Sequence, residues 1–152
     1  MASKISTIYD AVVTELSTIF STKTRLPNAY DLENNPHNMI RDAYGLRIDS
    51  SDLYRPEFRT SGQARQFTIL LTREVIRTDT NATLIDTEAK AILEDLNTLI
   101  LEMEKSDQLL VNSSIDRVSF AGSSGIELFG ASRSQFISIE AIFSIEYKET
   151  LS

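Results

Sequence analysis

The sequence predicts an α+β two-layer domain, an antiparallel or mixed β-sheet of about four strands with two amphipathic helices on one face. Three observations carry this. Two segments repeat apolar residues at helical spacing, one segment near the end alternates strictly, and the element order is helix, hairpin, helix, hairpin. A chain of 152 residues, 41% hydrophobic and 24% charged, has the size and composition of one globular domain, so residues 1 to 152 are read as a single unit.

In the first segment Ile5, Ile8, Val12, Leu16 and Ile19 recur at steps of three and four, which predicts a helix from Ser3 to about Thr22 with Ser3 as N-cap. Thr24 to Asn38 follows as a connector with room for one short strand. Pro27 and Pro36 turn the preceding residues away from helix, and Asn34-Asn35-Pro36 is turn chemistry. From Asn38 to Ile48, Tyr44, Leu46 and Ile48 alternate with Gly45 and Arg47, which suits a strand whose glycine permits a bulge or a close backbone approach.

Apolar density then falls between about 49 and 62, where Pro56 and Gly62 appear. This predicts a long hairpin loop, and loops of that length usually have a function such as an interaction arm. A strand from about Gln63 to Thr78 leaves it. The strongest helical pattern follows: Ile85, Ala89, Ile92, Leu93, Leu96, Leu99, Ile100 and Met103 form a stripe, with Asp86, Glu88 and Lys90 largely off it. Two strands close the chain, Ser114 to Phe120 and about Ser132 to Lys148, separated by the turn Ala121 to Gly125 and a short piece at Ile126 to Phe129. In the last strand Ile137, Ile139, Ala141, Phe143, Ile145 and Tyr147 share one face, opposite Ser138, Glu140, Ser144 and Glu146.

The functional content of the sequence is mostly negative. No run reaches the ~20 apolar residues a membrane helix needs, and the N-terminus lacks the apolar core of a signal peptide. Without cysteine there is neither a disulfide framework nor thiol chemistry, and synthesis in the cytoplasm is expected. The single histidine, His37, reads as a loop residue, and carboxylate pairs such as Glu94/Asp95 and Glu102/Glu104 read as a solvated helix face. Gly122-Ser123-Ser124-Gly125 is neither a nucleophile elbow nor a phosphate loop. The expectation is a protein that is not an enzyme and uses no cofactor or metal.

Charge is distributed unevenly: −1 over residues 1 to 40, +2 over 41 to 78, −6 over 79 to 107 and −2 over 108 to 152, within a total of −7. An acidic chain without a Lys/Arg cluster is a poor nucleic-acid binder. The polarity could instead steer one subunit against the next, the alternative being merely solvated faces.

Several short motifs resemble the tail terminator, or tail completion, proteins of long-tailed bacteriophages. They are Leu26-Pro27-Asn28-Ala29-Tyr30, the Tyr44-Gly45-Leu46 element, the Arg-flanked strand from Arg65 to Arg73, the amphipathic second helix and the closing Ile145-Glu146-Tyr147. The resemblance covers most of the chain. It implies a virion protein at the tail neck, made in the host cytoplasm, whose homohexameric ring caps the tail tube, stops tube stacking and offers a docking surface for the head-completion or connector protein. In some contractile-tailed relatives the sheath is a further partner. A closed ring needs two different complementary patches on each subunit. Arg41, Arg47, Arg55, Arg59 and Arg65 are therefore the expected assembly contacts, with Tyr30 and Tyr44 as interface anchors unless each covers a local core edge. The rival expectation is a non-enzymatic adaptor that binds partners through an exposed strand edge. A small metal hydrolase using carboxylates is a more distant third.

Overall fold

A computed structural model describes residues 4–26, 29–30, 37–57, 60–75, 81–105, 115–129 and 135–150. The elements in chain order are α1 (Lys4–Ile19), β1 (Thr24–Arg25), α2 (His37–Ile40), β2 (Asp42–Glu57), β3 (Thr60–Val75), α3 (Asn81–Lys105), β4 (Ile115–Ser123), β5 (Glu127–Phe129) and β6 (Gln135–Thr150). The sheet has the order β1-β2-β3-β6-β4, with β5 also on β6. Only the short β1 runs parallel to its neighbour; the other pairings are antiparallel. The predicted α+β two-layer arrangement is the observed one, with α1 and α3 packed on a mixed six-stranded sheet.

The helix-side face is built by two periodicities meeting. Every second residue of β3 and β6, Phe67, Ile69 and Leu71 with Ile137, Ile139, Ala141, Phe143 and Ile145, points into one buried cluster. From above, α1 contributes Ile8, Val12, Leu16 and the adjoining Phe20, and α3 contributes Ile92, Leu96, Leu99 and Met103. Burying each large side chain of this set is worth about 1.5–3 kcal/mol. Phe120 meets Phe143 edge-on at 5.6 Å between ring centres, which ties β4 into the same core.

The opposite face has a smaller cover. Leu26, Ile40, Ala43, Leu70 and Phe136 form a second cluster beneath α2 and the connector, with Phe129 stacked on Phe136 at 5.3 Å. Thr72 is fully buried there, and its hydroxyl donates to the Ile40 carbonyl at 2.7 Å, so α2 is bonded as well as packed to the sheet.

Three expectations need correction. The stretch predicted as a hairpin loop, 49 to 62, is mostly ladder: β2 and β3 stay paired to Glu57 opposite Thr60, with register shifts between Ile48 and Ser51 and between Asp52 and Arg55. Each shift inserts a residue and breaks the two-residue alternation by which a strand is recognised. Likewise Ala121 to Gly125 does not reverse the chain. β4 and β5 lie along the same side of β6, and the Gly/Ser stretch is an interruption in that edge, with Gly122 at a φ of 146° that suits glycine. There the Ser124 N–H donates to the Glu140 carbonyl and the Ser124 hydroxyl accepts from the Glu140 N–H, both at 2.9 Å, which keeps the edge attached. Finally, the predicted start of β2 at Asn38 falls within α2, and β2 begins at Asp42.

Candidate assembly surfaces

The β2 edge of the sheet forms one flank. The rows that bury Ile8, Val12 and Leu16 leave Ile5 and Tyr9 half-buried on the side of α1 next to Ile48 of β2. These residues, with Ser6 and Asp10, line an open depression of about 220 Å³. The exposed Arg25 of β1 stands beside it and donates to the Tyr9 hydroxyl at 3.4 Å.

Leu26 and Ala29 lie over Gly45 on the way to this flank. A Cβ at position 45 would sit 2.7 Å from the Ala29 Cβ, so glycine is what lets the chain lie flat against β2. The Leu26 N–H donates to the Tyr44 carbonyl at 2.8 Å to fix this contact. Tyr30 then emerges with 66% of its surface exposed, and its hydroxyl accepts the Ile48 N–H at 3.1 Å.

Between the helices and the sheet lies a cluster of charges. Arg73 contacts Glu88 at 2.7 Å, Asp95 at 3.3 Å and Asp42 at 3.7 Å, while Lys23 contacts Asp95 at 2.9 Å and also Asp42. Lys23 keeps only 5% of its side-chain surface in solvent and lies over the Phe20 ring at 5.6 Å. Burial works to lower the pKa of Arg73, but the hydrogen bond and field of Glu88, with the charges of Asp42 and Asp95, outweigh it and hold the guanidinium above its ordinary value. These pairs join the chain after α1, the start of β2, the end of β3 and α3. Asp95 therefore leaves the solvated helix face on which the sequence had placed it with Glu94. Nothing local marks it, because its partners lie 22 and 72 residues away.

The other flank is the outer surface of α3. Leu93, which the helical stripe counts among buried residues, is 47% exposed, and Leu101 is 46% exposed. At about 100° per residue Leu93 lies beside the stripe rather than within it. The Glu104 carboxylate, on that same side of the helix, accepts the Phe120 N–H of β4 at 3.3 Å. Glu88 and Asp95, on the opposite side, face Arg73 and Lys23. Leu93 thus looks outward on the β4 side, away from α1.

Of the seven expected contact residues, those whose side chains are described lie at several places on the domain. Tyr30 is on the β2 flank. Arg41 is 64% exposed where α2 meets β2, with its Nε 3.0 Å from Glu74. Arg47 lies on the face away from α1 and α3, 3.1 Å from Glu140 across β3. Arg65 ends the apolar row of β3 on the helix side and donates to the Tyr147 hydroxyl at 3.4 Å. Tyr44 is buried against Phe20 in its own subunit, at 5.9 Å between ring centres, so its ring is a core group rather than an exposed one. Arg55 stands in the β2–β3 ladder opposite Gly62, and Arg59 lies outside the described residues. The outward Leu93 and the depression beside α1 escaped sequence reading; the exposed side of an amphipathic helix seldom announces a leucine at the stripe's margin. The sequence matches no protein-family model, and no curated protein matches it.

Proposed function

We propose that this chain is a structural tail-neck protein of a long-tailed phage, a tail terminator whose six copies close into a ring on the tail tube, end tube polymerisation and present a docking surface to the head-completion or connector protein. The reading rests on the family resemblance of its motifs. The observation that best supports it is the β2–β3 hairpin, paired through Glu57 and Thr60 and flanked by β6 out to Thr150, past the core residue Tyr147. A paired arm carried past the residues of the helix-side core suits a subunit that must reach its neighbours, and elsewhere on the subunit the exposed Tyr30 and Arg41 add polar-tipped contact groups. Such a protein works by shape and charge complementarity, with no bond made or broken. It is synthesised in the host cytoplasm and resides in the virion.

Native mass spectra over a wide concentration range, with negative-stain images of the same samples, test the reading. A closed ring of about six subunits around a lumen is the expected result. A strict monomer or two-fold dimer that also fails to bind purified tail-tube protein would transfer the chain to the adaptor class.

A further inference from the structure

We propose that the contact between neighbouring copies is made by Leu93 of α3 on one subunit seated in the depression between α1 and β2 of the next; this rests on the ring reading above. The two surfaces lie on opposite flanks of the domain, as a head-to-tail contact requires. The depression has Ile5, Tyr9 and Ile48 as apolar walls, and a half-exposed leucine is an apolar group of matching kind.

The charges around the two surfaces are complementary. Leu93 has Lys90 one turn before it and Glu94 next to it, both exposed. The depression has Asp10 in its lining and Arg25 at its side. Among the described residues the side-chain charges of Asp10, Lys90 and Glu94 have no ion-pair partner within the subunit, in contrast to Glu88 and Asp95. Seating Leu93 brings Lys90 toward Asp10 and Glu94 toward Arg25.

Strand addition is a poorer way to join these flanks. The outward Ile48 N–H of β2 is held by the Tyr30 hydroxyl, and the Phe120 N–H of β4 by Glu104. The β4 edge is also broken by register shifts. Side-chain docking remains available where backbone pairing is obstructed.

The absence of cysteine makes the test direct. Ser6 is in the lining of the depression, and Asn97 is exposed one turn beyond Leu93. Under mild oxidation the double variant Ser6→Cys with Asn97→Cys gives a disulfide ladder ending at the closed ring, and either single variant gives none. Adding Leu93→Asp lowers the cross-linking yield at least about tenfold while the melting curve stays in place. Reversing one charge with Glu94→Arg weakens the ladder, and adding Arg25→Glu restores it. A ring seen by native mass spectrometry with no ladder, or a ladder indifferent to Leu93→Asp, overturns this contact and leaves the ring standing. No ring and no ladder at any concentration, with purified tail-tube protein present as well as absent, overturns both.

Discussion

The two faces of the sheet differ in how they are closed, and β3 contributes to both. On the helix side its residues Phe67, Ile69, Leu71 and Val75 enter a core that continues under α1 and α3, with Arg65 before this row and Arg73 interrupting it. On the other side its residues Thr68, Leu70 and Thr72 alternate polar and apolar, and only the end near α2 has an apolar cover. Arg47 and Glu140 pair across the middle of that face, both partly exposed. Apolar burial is therefore concentrated on one side of the sheet, and much of the other is closed by polar groups, buried at Thr68 and Ser138 and partly exposed at Arg47 and Glu140.

The sharpest way to break this comparison is in the helix-side core. Phe143→Ala removes a fully buried ring that also meets Phe120, and should lower unfolding free energy by about 3–5 kcal/mol in urea titrations. A loss below about 1 kcal/mol would mean that the helices do not depend on that face.

A smaller effect is expected at the best-closed part of the opposite face. Gly45→Ala pushes a methyl group against Ala29 and should cost about 1–3 kcal/mol by thermal melting. Combining it with Ala29→Gly should recover most of the loss, because the clash is with that one carbon; failure to recover would place the cause in the β2 backbone.

The two ion-pair systems should differ least, yet in a fixed order. Arg73→Met leaves Glu88, Asp95 and Asp42 facing Lys23 alone and should destabilise by about 1–2 kcal/mol after discounting for partial solvent access. Glu140→Gln on the face away from α1 and α3 should change stability by about 0.5 kcal/mol or less. Equal losses in parallel melts would show that the charge cluster is screened as effectively as the surface pair.

The core was largely legible because it depends on period alone. Steps of three and four mark α1 and α3, and the alternation from Ile137 to Tyr147 correctly gives the buried face of β6. The arm was not legible, since two register shifts in β2 remove the alternation while backbone pairing persists without it. The Gly/Ser stretch misled for a related reason: glycine at positive φ serves a turn and a strand interruption equally, and only the bonds between Ser124 and Glu140 distinguish them. For the candidate contacts, composition located the basic stretch but not its orientation. Tyr44 and Arg47, three residues apart in one strand, lie on opposite faces, one in the core and one outside it.

The position of β6 between β3 and the β4–β5 edge sets the order in which the chain can become a protein. Its ladder with β3 joins Val75 to Gln135 and Thr60 to Thr150, separations of 60 and 90 residues. Both of its neighbours precede it in the sequence, so during synthesis they emerge before the strand that must lie between them. Closing such distant contacts places folding toward the slower end for domains of this size. Until β6 inserts, one edge of β3 is an open template. The central strand arrives late, and subunits become competent to assemble only once nearly all of the described chain has left the ribosome.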